Sequence, residues 1–172
     1  MDIEKNNPSN ILQHIYGYKE FRGHQEAIVN HIIEGKNAFV LMPTGGGKSI
    51  CYQIPSICRE GVGIIISPLI ALMKDQVDAL KLVGVKAAAI NSTISHWETL
   101  AIIDSIKARK LDLLYVSPER ILMDDFLEIF RELPIALFAI DEAHCVSQWG
   151  HDFRPSYTQL EILSKSFPSV PR

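Results

Sequence analysis

Short apolar runs rich in β-branched residues recur along the chain at 37–42, 62–67, 85–90, 112–117 and 137–141. Between them lie longer stretches whose apolar positions return every three or four residues. The runs have the length of buried strands, and the stretches between them have the period of amphipathic helices. The pattern predicts five strands at those positions and helices near 48–58, 69–82, 95–109 and 124–131, the third opening on a capping box formed by Ser95 and Glu98. Alternating strand and helix predicts an α/β fold with a mainly parallel sheet, helices on both faces and right-handed crossovers. Ahead of the first strand, helices are expected near 10–16 and 23–34, the second ended by Gly35. Residues 1–36 therefore read as a helical segment attached to an α/β domain over 37–172. A last helix is expected near 156–166, followed by turns at Pro168 and Pro171. The chain reaches Arg172 where a further strand is expected, which suggests a piece of a longer protein.

In such a sheet, function collects at the carboxyl ends of the strands. The polar motifs here follow strands: the glycine-rich loop after 37–42, Ser67-Pro68, Asn91-Ser92-Thr93, Ser117-Pro118-Glu119-Arg120 and Asp141-Glu142. The first of these, Met42-Pro43-Thr44-Gly45-Gly46-Gly47-Lys48-Ser49, sits where a strand becomes a helix. Successive glycines let backbone N–H groups and the positive helix end converge on one phosphate. Lys48 can then reach the β and γ phosphates of a nucleoside triphosphate, and Ser49 can offer its hydroxyl to Mg²⁺. The strict phosphate-loop pattern has glycine where this chain has Met42.

The second motif, Leu137-Phe138-Ala139-Ile140-Asp141-Glu142-Ala143-His144, is an apolar strand ending in adjacent carboxylates. Asp141 is placed to hold Mg²⁺, directly or through water, and Glu142 to polarise an attacking water. A glycine turn before a lysine is ordinarily a surface turn, and a lone acidic pair is ordinarily a helix cap. Together, in one alternating pattern, they point to hydrolysis of ATP with Mg²⁺.

Composition narrows the setting. A length of 172 residues with 47% hydrophobic content suits one well-buried domain. No apolar run approaches the roughly 18 residues needed to span a bilayer, and the polar start lacks a secretion signal. A soluble, cytoplasmic protein is expected, nucleoid-associated if bacterial, with no membrane partner. Cys51, Cys58 and Cys145 form no CxxC pair and leave an odd thiol, so neither a disulfide framework nor a zinc site is expected. A net charge of −3 excludes blanket electrostatic adhesion to nucleic acid, so DNA binding would have to be local.

Over roughly residues 16–171 the chain resembles the RecQ DNA helicases of superfamily 2, in the first of their two RecA-like motor lobes. Residues 42–49 look like that family's own phosphate loop. The segment Ser67-Pro68-Leu69-Ile70-Ala71-Leu72-Met73-Lys74-Asp75-Gln76-Val77 is similar to its motif Ia, and Asp141-Glu142-Ala143-His144-Cys145 to its motif II. The resemblance implies catalytic roles for Lys48, Asp141, Glu142 and His144, and nucleotide contacts from Thr44, Gly45, Gly46, Gly47, Lys48 and Ser49. Gly17-Tyr18-Lys19-Glu20-Phe21-Arg22-Gly23-His24-Gln25 resembles motif 0, which implies that Tyr18, Arg22 and Gln25 contact the adenine end of ATP. An aromatic or guanidinium face can stack on the base, and a Gln amide can pair with its edge.

Gln148-Trp149-Gly150-His151-Asp152-Phe153-Arg154-Pro155 resembles the family's aromatic-rich loop, which senses DNA and reports to the ATP site. That implies DNA-coupling roles for Gln148, Trp149, His151, Phe153 and Arg154, with stacking on unpaired bases worth about 1–3 kcal/mol each. Ser67 and Ser117 stand at expected strand-to-helix junctions, where hydroxyls and free N–H groups can take a phosphate or simply cap a helix. By resemblance the DNA track runs there, with Arg120 beside it. The family's second motor lobe, with its arginine finger, has no counterpart in these residues. An arginine finger contributes about 10³ to 10⁵ in turnover, so the resemblance implies a lobe that binds Mg-ATP weakly and hydrolyses it very slowly alone. In a parent chain it implies 3′-to-5′ unwinding of single-stranded and duplex DNA in repair and recombination. Two other readings fit the same residues: a non-catalytic, nucleotide-gated adaptor, and an RNA-directed ATPase of the same superfamily.

Overall fold

The computed structural model describes residues 7–43, 45–147 and 151–172. In chain order the elements are α1 (Pro8–His14), α2 (Gln25–Ile33), α3 (Lys48–Cys58), β1 (Val62–Ile66), α4 (Ile70–Leu82), β2 (Ala87–Ile90), α5 (His96–Lys107), β3 (Leu113–Val116), α6 (Pro118–Ile121), α7 (Asp124–Arg131), β4 (Ile135–Ile140), a 3-10 turn at Ala143–Val146, α8 (Pro155–Gln159) and α9 (Ile162–Ser166). The strands form one sheet in the order β2-β3-β1-β4, and all three pairings are parallel. No described helix is long and apolar enough to cross a membrane.

Side chains alternate across the pleat, and both faces of this sheet are covered. Ile64, Ile66, Leu114, Val116 and Phe138 join Ile106, Phe126, Phe130 and Leu163 in one core. Their strand neighbours Ile65, Leu113, Tyr115 and Leu137 join Ile11, Val29, Ile54, Met73 and Val77 in the other. The helical segment before the sheet thus packs with α3 and α4 on one face, and α5, α7 and α9 cover the opposite face. Every residue of β1 and β3 is buried, as expected for strands sandwiched between two helical layers. Helices 48–58 and 124–131 stand where the apolar period puts them. The Ser95–Glu98 capping box is made in both directions.

Two expectations need correcting. Residues 37–42 form no strand in this structure. Their one sheet-like contact is Ala38 N–H donating to Arg172 O at 2.9 Å, and on the other side Phe138 N–H of β4 donates to Pro171 O at 2.9 Å. Residues 171 and 172 therefore stand between β4 and this segment, which has no other ladder partner among the described residues. Phe39 and Leu41 are left 80% and 84% exposed. An apolar run becomes a strand only where a neighbour accepts its backbone.

The helix expected over 156–166 is two short ones, α8 and α9. Thr158 and Ser164 hydroxyls donate to the carbonyls of Pro155 and Glu161 at 2.7 and 2.8 Å, and between the two helices Leu160 and Leu163 N–H groups bond three residues back. Hydroxyls that compete for backbone carbonyls favour such breaks. The junction expected at Ser117 leads into the four-residue α6, with Pro118 in its first turn.

Close approach between α3 and β1 depends on Gly63, where a Cβ would run into the Ser56 side chain. Gly63→Ala is expected to destabilise the chain by about 1–3 kcal/mol through overpacking, read as a lower urea midpoint with an unchanged m-value. Burial also pushes the Cys51 and Cys58 thiols up to about 11. Because the thiolate is the reactive form, both should alkylate far more slowly at pH 8 in the folded chain than in urea, as followed by mass spectrometry.

Candidate functional site

The glycine-rich loop closes onto the start of α3. Gly46 N–H donates to Pro43 O at 3.0 Å, making a tight turn, and Gly45 and Gly47 both adopt φ 78°. There is no room for side chains. A Cβ on Gly46 would come within 2.9 Å of Pro43 O, and one on Gly47 would collide with the Gln25 amide. Gly47 caps the 11-residue α3 without any side-chain hydrogen bond. The first N–H groups of the helix are thus unclaimed by a capping side chain, and the positive end of its dipole opens into the loop. This is the geometry of a phosphate cradle, with Lys48 and Ser49 as the first two residues of the helix. Thr44 lies outside the described residues.

Gln25 is 4% exposed. Its Oε1 accepts Arg22 N–H at 2.9 Å and its Nε2 donates to Gly47 O at 3.1 Å. The amide therefore clamps the segment before α2 to the cradle and is engaged inside the protein. The Arg22 guanidinium lies 5.5 Å from the centroid of the Tyr18 ring, and Tyr18 is 48% exposed. A cleft of about 690 Å³ is lined by Arg22 and His24 on one side and by Met42, Pro43, Gly45 and Gly46 on the other. That volume is within the range of small-ligand sites.

The acidic pair stands at the carboxyl end of β4. Asp141 N–H continues the ladder to Ile66 O at 2.9 Å, and Asp141 Oδ1 accepts Glu142 N–H at 2.9 Å. Glu142 takes the left-handed conformation, φ 54° and ψ 42°, before the turn at Ala143–Val146. For a residue with a Cβ that conformation costs roughly 1–2 kcal/mol, and such strain gathers at functional sites. His144 Nδ1 lies 3.2 Å from Glu142 Oε2, and its Nε2 lies 3.6 Å from Asp152 Oδ2. Tyr157 donates its hydroxyl to Asp141 O at 2.8 Å. Burial pushes the Tyr157 phenol well above its ordinary value, which keeps it a donor.

The two motifs share one neighbourhood. Helix α3, which carries Ser49 in its first turn, packs against β4, whose ladder ends at Asp141. A serine hydroxyl with a carboxylate makes an all-oxygen donor set. That set suits a hard divalent ion that takes its remaining ligands from phosphate and water.

Ser67 and Ser117 stand side by side, each following one of the cross-strand partners Ile66 and Val116. Their side chains are turned inward, at 1% and 8% exposure. Ser67 Oγ has no hydrogen-bond partner among the described residues. Arg120 lies over the Phe126 ring at 4.9 Å, and its Nε is buried without a partner among the described residues. Gln148 and Trp149 lie outside the described residues. His151 is exposed, whereas Phe153 and Arg154 are half-buried. Arg154 N–H donates to Cys145 O at 2.9 Å, so this loop folds back onto the acidic turn. Sequence patterns did not single out Asp152 or Tyr157 for the acidic turn. Tyr157 begins a separate helix 16 residues beyond Asp141, and no local spacing announces that contact.

A family model for the DEAD/DEAH box helicases matches residues 22–170. The ATP-dependent DNA helicase RecQ of Haemophilus influenzae is 46% identical over 169 residues, covering 98% of this chain and 27% of the relative. The protein of the same name from Bacillus subtilis is 49% identical over 162 residues, covering 94% and 27%. ATP-dependent DNA helicase Q1 of Mus musculus is 39% identical over 169 residues, covering 93% and 26%. The chain thus spans about a quarter of the length of these curated relatives.

Gly47→Ala is expected to weaken binding of a fluorescent ATP analogue about tenfold or more, from roughly 1–2 kcal/mol of left-handed strain at the cradle. Gly84→Ala has a similar φ of +84° but open space around it, and it should leave that affinity unchanged.

Proposed function

Because the chain belongs to the DEAD/DEAH box helicase family, we propose that it is the first motor lobe of an ATP-dependent 3′-to-5′ DNA helicase of the RecQ type. The observation that carries this reading is the pairing of a phosphate cradle at α3, which leaves no room for a Cβ at Gly46 or Gly47, with Asp141 and the strained Glu142 at the end of β4, the strand on which α3 packs. The names of the relatives, all ATP-dependent DNA helicases, support DNA as the substrate. Acting in repair and recombination is part of the same proposal.

Mg-ATP, when bound, supplies the transferable phosphoryl group and the divalent charge that neutralises it. The chain's own residues do the rest. Backbone N–H groups of Gly45 to Lys48 bind and orient the phosphates, and the Lys48 ammonium stabilises negative charge on them. Ser49 and Asp141 would hold the metal. Glu142 orients the attacking water and draws its proton, while His144 steadies the Glu142 carboxylate through the 3.2 Å contact. Tyr18, Arg22 and Gln25 receive the base, and the Gln25 amide also sets the spacing between this segment and the cradle. Ser67, Ser117 and Arg120, with the loop around Trp149, Phe153 and Arg154, follow a single DNA strand along the carboxyl edge of the sheet. A second lobe closes on this one and supplies the arginine that speeds turnover.

Steady-state ATP turnover in this chain, and in a chain extended to the length of its relatives, tests the reading. Stimulation by single-stranded DNA is expected only in the longer chain, with Lys48→Ala lowering kcat by about 10²–10³ or more. Stimulation by RNA and not DNA would turn the reading to an RNA-directed ATPase. No stimulation by either, with nucleotide still bound, would leave a nucleotide-gated adaptor.

A further inference from the structure

Beneath the cradle, α3 carries a buried polar node that phosphate binding does not require. Gln53, 4% exposed, donates from Nε2 to Gln76 Oε1 on α4 at 3.1 Å and to the Tyr115 hydroxyl on β3 at 3.0 Å. Its Oε1 accepts the hydroxyl of Tyr16, just beyond α1, at 3.1 Å. A primary amide has two N–H donors, so one side chain serves both acceptors at once. Three helical or post-helical segments and the sheet meet at this amide.

The node reaches the nucleotide end of α3. Gln53 lies four residues past Ser49, on the same face one turn on. The hydrogen bonds therefore tie Gln76 and Tyr115 to Gln53, and α3 itself carries the connection from Gln53 back to Ser49.

At its other end the connection reaches the loop that leads into α4. That helix begins at Ile70, three residues past Ser67, whose buried hydroxyl has no partner among the described residues. Leu69 and Ile70 are 48% and 37% exposed. The loop runs directly into α4, so Gln76 sits on the same helix that the loop starts. A hydrogen bond weakens once its length leaves about 2.7–3.2 Å, so the Gln53–Gln76 contact responds to a small slide of α4 against α3, whereas apolar packing tolerates it.

We propose that Gln76, Gln53 and Tyr115 form a positioning relay that couples a single DNA strand at the 67–70 loop to Ser49 and Lys48 at the head of α3. The proposal rests on the DNA-binding reading above. None of the three touches a substrate. In one arrangement the Gln53 amide is shared between α4 and β3, as in this structure. In the other it is given to Tyr115 and Tyr16 alone, free of α4. Nucleotide and DNA bias the same choice, which is the physical requirement for coupling between separate sites.

The test is a linkage measurement in the full-length protein. The affinity of a fluorescent, non-hydrolysable ATP analogue is measured with and without saturating oligothymidylate, in the wild type, in Gln76→Leu, which cannot accept a hydrogen bond, and in Gln76→Glu, which can. Coupling of about fivefold or more is expected in the wild type, and of less than about twofold in Gln76→Leu, with each ligand's affinity on its own unchanged. Gln76→Glu should restore it. A thermal unfolding curve for each variant confirms that the fold is intact. Full coupling in Gln76→Leu would overturn the relay and leave the node as a structural staple, with the DNA reading standing. Loss of coupling in both variants would overturn it too, since packing of α4 and not the hydrogen bond would then carry the effect. A wild type whose nucleotide affinity ignores DNA would overturn both the relay and the DNA reading.

Discussion

Parallel pairing is the constraint on which the rest of this molecule depends. A parallel strand cannot return through a tight turn, so each connection must cross the sheet as a helix, and every strand ends at the same edge. β1 sits between β3 and β4, and all five of its residues are buried. Its register matches Ile66 with Val116 on one side and Ile140 on the other. Ser67, Ser117 and Asp141 are therefore set in a row, with strands about 4.8 Å apart, although 74 residues separate the first from the last. The site is a consequence of that register, because a slip of one residue would turn every one of these side chains to the opposite face.

The edge where the strands end is also where local rules are broken. Glu142 holds a conformation that disfavours side chains, Ser67 buries a hydroxyl without a partner among the described residues, and α3 starts on a glycine that offers no cap. Each feature costs stability, and each leaves a polar group ready for something other than the fold. The apolar cores on the two faces of the sheet offset these costs. Buried phenols add rigidity. Tyr52, Tyr115 and Tyr157 all have raised pKa values with burial as the leading cause, so they remain neutral through the physiological range and hold the acidic turn and the root of the cradle.

Much of this was legible in the linear pattern because helices are locally self-sufficient. A helix closes its hydrogen bonds four residues back along its own chain, so the apolar period and a capping pair were enough to bound 48–58 and 124–131 and to start α5 at Ser95. The glycine run before Lys48 and the carboxylates after Ile140 were equally readable, since their chemistry depends on neighbours in sequence. The family resemblance rested on those same local motifs, and the match to the DEAD/DEAH box helicases over 22–170 agrees with it.

What the sequence by itself determined, then, is the parallel α/β class and the alternation of helix and strand from α3 to β4. Tertiary structure alone decided the contacts that come from elsewhere in the chain. Residues 37–42 have the composition of a strand, but among the described residues only Arg172 accepts from their backbone in a sheet-like way. Gln25 looks like an ordinary polar residue at the start of a helix, until folding joins its amide to Arg22 and Gly47. Gln53 looks like any polar residue in an amphipathic helix until Gln76, Tyr115 and Tyr16 converge on it. The physical reason is the same in each case: a helix borrows nothing, whereas a strand, a buried amide and a buried hydroxyl are defined by partners that only folding brings near.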